Sequence, residues 1–481
     1  MPSQSRSILL IYCSMIIGLC QLSCKKMVSV PQPINSITTP QMFESDNQAK
    51  TAMAGVYSLM VNGGLNFSNG YATLLTALSS DELFYYGAGD AQILSFGPNQ
   101  LLYNNSYTSS VWTNAYKTIY NANAVIEGIA ASTSYTLTDT VRKRLTGEAQ
   151  FVRAFCYFYL ANLFGDVPLV LTVDFNKTRY MTRTPVSEVY RQIIADLTEA
   201  QSVLTAQPAG ERITPDKWTA TAMLARVYLY TGEYAKAAAQ ATAVIDNVSR
   251  YNLESDPNKV FLIASKEAIW QLKQGIKDAT YLNMTTEAYF LWPAPWPNGV
   301  TKYCLTESLL NAFETGDRRR SAWVNSSTNT GAGLYWYPYK YKLGRHNGAQ
   351  NIASTEYYMV LRLAEMYLIR AEAAANGAPG GTAAAITDLN VIRNRAGLTA
   401  LPATLTSDQL IAAVAHERQV ELFAEWGHRW LDLKRTGRAH DVLSVIPGKQ
   451  PWTGDYQLLY PIPATEIQIN PRLQQNPDYL N

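Results

Sequence analysis

Cysteine, histidine and charge are all scarce in this chain, and each shortage removes a class of function. The 481 residues include 5 Cys and 4 His. His346, His416, His428 and His440 fall at no metal-ligand spacing, and the cysteines make neither a disulfide framework nor a zinc pattern. Charged residues are 16% of the chain and the net charge is +2. A nucleic-acid binder presents a basic stripe. Here the densest basic run is Asp317-Arg318-Arg319-Arg320, short enough for a local ion-pair cluster. His-Glu-x-x-His, Gly-x-Ser-x-Gly, a phosphate-binding glycine loop and a dinucleotide fingerprint are all missing. The reading is therefore binding rather than catalysis: no catalytic residue is nominated, no cofactor or metal is called for, and no nucleic acid is expected.

Long hydrophobic runs are also lacking. Residues 8–20 are apolar but too few to cross a bilayer comfortably, and they follow Arg6. They read as the core of a secretory signal. Gln21-Leu22-Ser23-Cys24 then places a small residue directly before a cysteine, as at the cleavage and acylation site of a bacterial lipoprotein. The position three before Cys24, usually aliphatic, is Gln21. Cys13 and Cys20 would leave with the signal and Cys24 would carry lipid. Cys156 and Cys304 would remain, with Cys156 in an apolar run that suits a buried thiol. Residues 1–23 are thus expected to be a signal peptide. Residues 24–45 would be the lipidated cysteine and an extended leader rich in Pro, Ser and Thr. Residues 46–481 would be a single helical domain with a loop-rich insert at about 251–345.

What the chain does have is helical periodicity and aromatic side chains. Residues 47–60 return apolar groups every three or four positions, and residues 72–83 suggest a second helix. The clearest unit is 215–246. Pro215 suits a first helical turn with Thr214 as cap, Thr231-Gly232-Glu233 makes a turn, and Ala237 and Ala241 allow close packing of a second helix. Leu224, Ala225, Tyr228, Gly232, Tyr234, Ala237 and Ala241 approach the spacing of a tetratricopeptide repeat. Segments 111–129, 145–163, 358–375 and 383–395 share the pattern at unequal intervals. The fold class expected is mostly α: tetratricopeptide-like pairs in one compact α/α body, with long aromatic-rich loops and a few short strands such as 268–272. Glu417, Glu421 and Glu425 lie at one helical face within 417–435. They read as an ion-paired, solvated helix over Leu422, Trp426 and Trp430 rather than as a catalytic carboxylate pair.

The chain holds 31 Tyr and 10 Trp. Flat rings with a polar handle suit wet, concave recognition sites, and a sugar offers an apolar C–H face above a hydroxyl rim. The candidates are Tyr85, Tyr86 and Tyr103 in an N-terminal loop region, where Tyr107 also falls, and Trp292, Trp296, Trp323 and Trp336 in the middle one, beside Tyr335 and Tyr337.

Several motifs, in order, resemble the SusD/RagB family of outer-membrane nutrient-binding lipoproteins. They are Ser23-Cys24-Lys25-Lys26 and Ala49-x-x-Ala52-x-x-Gly55-Val56-Tyr57, then Gly147-Glu148-Ala149-Gln150-Phe151-Val152-Arg153-Ala154 with Phe164-Gly165-Asp166-Val167-Pro168. Leu361-Arg362-Leu363-Ala364-Glu365 and Leu389-Asn390-x-Ile392-Arg393-x-Arg395-Ala396-Gly397 follow. Glu417-Arg418-x-x-Glu421-Leu422-x-x-Glu425-x-Gly427-x-Arg429-Trp430-x-Asp432-Leu433-Lys434-Arg435 and Tyr460-Pro461-Ile462-Pro463 complete the set. The resemblance implies a helical body with four repeat-like pairs, anchored by lipid at the cell surface in the outer membrane. It implies a SusC-like TonB-dependent barrel transporter as partner and a polysaccharide or oligosaccharide as ligand, captured and not cleaved. A peptide ligand, or a surface glycoside hydrolase, is the alternative. Ligand residues differ among members, so the aromatic candidates rest on the chemistry above.

Overall fold

The computed structural model describes residues 41–62, 65–206, 210, 212–275, 281–294, 299, 301–329 and 333–479. The expected signal peptide, Cys24 and most of the leader lie outside the described residues, as does Trp296. The body begins with a 3-10 turn, Gln41–Phe43, whose Phe43 is buried. It packs flat on a helical glycine: a Cβ at Gly128 would lie 2.2 Å from the Phe43 ring.

The long helices are α1 (Asp46–Val61), α2 (Tyr71–Ser79), α3 (Ser106–Ala131), α4 (Asp139–Phe164), α5 (Val186–Val203), α6 (Lys217–Tyr230), α7 (Tyr234–Ile245), α8 (Leu363–Ala375), α9 (Gly381–Arg395), α10 (Ser407–Leu422) and α11 (His428–Arg435). Their starts follow from side chains that accept otherwise orphaned backbone N–H groups. Asn105 accepts from Tyr107 and Thr108, Thr138 from Val141, and Thr406 from Gln409 in a reciprocal capping box. For α6 the cap is Asp216, accepting from Trp218 and Thr219, rather than the expected Thr214: Pro215 stays outside the helix and the chain enters two residues later.

Neighbouring helices stack in sequence, α3 on α4, α4 on α5, α5 on α6, α6 on α7, α7 on α8 and α8 on α9. This is the repeat-like mostly-α body the periodicity predicts. Helix α4 is enclosed on nearly all sides. Its Arg153 donates to Asp196 of α5 at 2.7 and 2.8 Å and to Asn123 of α3 at 2.8 Å, tying three helices together. Arg226 of α6 and Glu365 of α8 form a second buried, two-pronged pair at 2.6 and 2.7 Å. Buried charges persist only when paired in this way.

Among the described residues three two-stranded antiparallel sheets decorate the body: β1 (Leu83–Tyr85) with β3 (Tyr303–Leu305), β2 (Ala268–Leu272) with β6 (Tyr358–Arg362), and β4 (Val324–Asn329) with β5 (Gly333–Pro338). Two sequence expectations change here. Helix α2 stops at Ser79 so that the chain can enter β1, and residues 358–362 are strand rather than the first turns of a helix.

The region 417–435 departs furthest from expectation. Helix α10 ends at Leu422, and Ala424 and Trp426 take left-handed backbone at φ 48, followed by Gly427 at φ 76, before α11 begins. Its glutamates are not solvated: Glu421 is 0% exposed and Glu417 and Glu425 are also buried. Arg319 reaches Glu417 at 2.5 Å and Glu421 at 3.0 Å, while Arg362 reaches Glu421 at 2.6 Å and Glu425 at 2.8 Å. Lys340 donates to the Glu421 carbonyl at 2.9 Å and pairs with Glu425. The partners are remote in sequence, so spacing within the helix could not reveal them.

Candidate aromatic recognition site

The β1–β3 and β4–β5 ribbons meet above the helical body, with β3 against β5. Alternation along β5 sends successive side chains to opposite faces. Tyr335 and Tyr337 turn toward the β1 and Trp292 side, and Trp336 turns the other way. Tyr86 stacks on Tyr335 with ring centroids 4.5 Å apart and planes 36° apart, and Phe84 approaches the same ring at 6.3 Å. Phe84 and Leu334 are exposed, so this cluster forms a rim that faces solvent.

Behind the rim the rings continue inward. Trp292, 6% exposed, lies 5.0 Å from Tyr339 and 6.4 Å from Tyr337, and its Nε1 donates to the Tyr341 carbonyl at 3.3 Å. Its ring presses on Gly344, where a Cβ would sit only 2.1 Å away. Trp292 also walls a cleft of ≈ 350 Å³ shared with Tyr71, Tyr85, Tyr107, Phe290 and Tyr303. Tyr85 and Tyr303 meet edge to face at 5.3 Å, and Tyr71 and Tyr107 do the same at 5.6 Å.

The cleft's polar groups are few. Tyr107 donates to Asp90 at 2.5 Å. Burial, and then the Asp90 carboxylate, push the Tyr107 phenol well above its ordinary range, and burial raises Tyr303 likewise. Both remain hydrogen-bond donors at any physiological pH. Arg345 donates to the Tyr289 carbonyl and lies 3.9 Å over the Tyr289 ring, while the exposed Lys302 lines the opening. Among the described lining residues, Asp90 is the lone carboxylate. Two carboxyls roughly 5–10 Å apart are needed for glycosidase chemistry, and this cleft supplies one. Apolar ring faces with a sparse polar rim can hold the C–H face of a sugar and hydrogen-bond its hydroxyls.

The sequence candidates divide. Tyr85 and Trp292 wall the cleft, and Tyr86 forms the rim. Trp336 occupies the opposite face of β5, with the Arg320 guanidinium 4.1 Å over its ring. Tyr103 sits apart, in the turn before α3, where its carbonyl accepts from Ala464 at 2.9 Å. Trp323 is a correction: it is 0% exposed. It donates to the Pro257 carbonyl at 2.9 Å and sits under the Lys340 ammonium at 4.7 Å, so it supports the buried ion cluster and shows a ligand no surface. Tyr71, Asp90, Phe290, Lys302, Tyr303 and Arg345 escaped the sequence reading. They come from α2, β3, a short helix at Thr286–Leu291 and separate connecting segments, and no local spacing links them.

Taken together, these elements define a helical-repeat protein that carries aromatic clusters on two loop ribbons. Comparison with known proteins agrees. Residues 44–229 match the family model described as starch-binding associating with outer membrane, and residues 323–479 match the SusD family model. The chain belongs to the SusD/RagB family. It is 28% identical over 426 residues to SusD-like protein P2 of Formosa agariphila, covering 78% of this chain and 81% of that one. It is 26% identical over 432 residues to the starch-binding protein SusD of Bacteroides thetaiotaomicron, covering 71% and 74%. Among solved structures, a laminarin-binding SusD-like protein matches with TM-score 0.76 and 25% identity over 91% of this chain and 100% of that one. A SusD superfamily protein of Bacteroides vulgatus has the same fold, with TM-score 0.78 and 21% identity over 90% and 99%.

Proposed function

We propose that this protein captures a polysaccharide or oligosaccharide at the cell surface and hands it to a SusC-like TonB-dependent barrel transporter, without cleaving it. The observation that carries the reading is the pair of aromatic clusters on these ribbons, the Phe84, Tyr86 and Tyr335 rim and the Tyr85, Trp292 and Tyr303 cleft. Starch and laminarin binding by relatives supports a glucan as the first ligand to try. The single carboxylate in the cleft favours binding over hydrolysis. The outer-membrane description of the matching family model supports that location, and Cys24 is the proposed lipid anchor. Among the described residues no helix is long and apolar enough to cross a membrane.

Native affinity electrophoresis through laminarin, amylopectin and neutral control gels tests the binding. Retardation by one of the glucans is expected, and Tyr335→Ala should weaken it about tenfold, the loss of a stacking surface worth about 1–1.5 kcal/mol. Unchanged mobility across a broad panel of glycans, with an intact fold, would reject the reading in favour of a peptide ligand. Release of reducing ends from a bound glycan would instead make the protein a hydrolase.

A further inference from the structure

A second cleft, of ≈ 480 Å³, lies in the helical body between the α6–α7 turn, the end of α8, the middle of α10 and α11. None of its lining residues belongs to the aromatic cleft. Its wall is built from paired charges. Arg418 holds Asp432 at 2.7 and 3.1 Å. Arg435 holds Glu372 at 2.5 and 2.7 Å and reaches Asp432 at 2.8 Å. Arg429 is committed to Asp81 at 2.7 Å. These pairings use both carboxylates of the wall and leave positive charge and donors over.

Three donors remain. Arg438 is exposed, and its guanidinium makes no ion pair or hydrogen bond with the described residues. The Arg418 side chain is only 2% exposed, yet its Nη1 has no hydrogen-bond partner among the described residues. The Tyr230 hydroxyl is likewise buried without one among them. A buried donor without an acceptor is costly, and both of these belong to residues that line one cleft. The rest of the lining mixes Thr231, Asn376 and Thr436 with apolar side chains, of which Ile411 is the exposed one and Leu229, Val414 and Leu433 lie behind it. One excess cation, unmatched donors and a partly apolar wall describe the complement of a monoanion on a small hydrophobic body.

We infer that this cleft is a second binding site, separate from the glycan surface, for a carboxylate attached to an apolar group. The ligand is either a small organic acid or the free C-terminus of a peptide chain. The carboxylate would take the exposed Arg438 first, and the enclosed donors of Arg418 and Tyr230 once neighbouring side chains part around it, while the apolar body would lie on Ile411. Burial keeps the Tyr230 phenol protonated and able to donate.

Calorimetric titration of the purified protein tests this with two matched probe pairs: 4-phenylbutyrate against 4-phenylbutanamide, and the peptide Gly-Gly-Leu-Phe as free acid against its C-terminal amide. Saturable binding of an acid, at least about tenfold tighter than its amide, is the expected result. Tighter binding by the small acid or by the peptide acid identifies the source. Arg438→Gln, at an exposed and unpaired position, should weaken the acid several-fold. Ala415→Phe should fill the cleft and abolish binding at unchanged melting temperature, and Tyr335→Ala should leave acid binding alone. Equal binding of acid and amide, acid binding undiminished in Ala415→Phe, or no binding of either acid would overturn the inference and leave the two donors to buried water.

Discussion

Glu421→Gln removes the central charge of the buried ion cluster while keeping the side chain's shape. In the native protein the Glu421 carboxylate meets Arg362 at 2.6 Å, Arg395 at 2.5 Å and Arg319 at 3.0 Å, with no exposure to solvent. Burial alone would raise its pKa, but Arg395, Arg362 and Arg319 outweigh that and hold it well below the ordinary carboxylate value. Breaking a buried pair from one side leaves the opposing charge uncompensated and costs about 3–5 kcal/mol. A solvated helical pair, as the sequence suggested, would cost about 0.3–0.5 kcal/mol. Urea unfolding at pH 7, followed by tryptophan fluorescence, separates the two by roughly an order of magnitude: with a slope near 3 kcal/mol/M the midpoint should fall by about 1 M or more. The pH dependence adds a sign. A carboxyl with a depressed native pKa contributes stability that is present above its ordinary value of 4.5 and is lost as pH falls through the native value. The wild type should therefore lose its advantage over Glu421→Gln on acidification below about pH 4.5. A destabilisation under about 1 kcal/mol at pH 7, or a gap that widens in acid, would refute the electrostatic account.

Trp323→Ala should cost about 3–5 kcal/mol, as for a large core side chain, whereas Trp336→Ala should stay within about 1 kcal/mol in the same denaturation assay. Glu82 is buried, has an oxygen without a hydrogen-bond partner among the described residues and neighbours Asp81, with Arg429 and Lys340 acting against the shift. Burial and then Asp81 raise its pKa to about 8. A raised carboxyl favours the fold while protonated, so wild-type stability should fall relative to Glu82→Gln as pH rises from its ordinary value of 4.5 to about 8 and then level off, measured by melting temperature across pH 5–9. Gly128→Ala would drive a methyl to 2.2 Å from Phe43, and should destabilise by about 1–3 kcal/mol through overpacking, seen as a lowered urea midpoint. The buried Cys156 thiol, its pKa pushed up by burial, should react with a thiol reagent only on unfolding, and fast labelling of the native protein would contradict its enclosure.

The repeat-like helices were legible because the signal is local. In α6 and α7 the apolar returns and the Gly232 turn all lie within one short stretch. The break after α10 was not legible, since residues 417–435 continue a helical pattern without interruption. Long-range bonds decide it: Trp426 donates its backbone N–H to Thr73 at 3.0 Å and its indole N–H to the Met359 carbonyl at 2.7 Å, while Glu425 turns to Arg362 and Lys340. Together with the Gly427 backbone they offset two non-glycine residues in left-handed geometry.

By itself the sequence determined the helical class, the exclusion of the familiar catalytic motifs, the family resemblance and the supply of aromatic rings, because composition, periodicity and motif order are local or additive. Only the tertiary structure decided which rings face solvent and which charges are buried. Trp323 and Trp336 fall in the same loop-rich stretch of sequence, yet one props an ion cluster and the other lies under Arg320 on a surface ribbon. Tyr86 meets Tyr335, and Tyr85 meets Tyr303, only because β3 pairs with β1 and packs on β5. Burial and proximity depend on which distant segments come together.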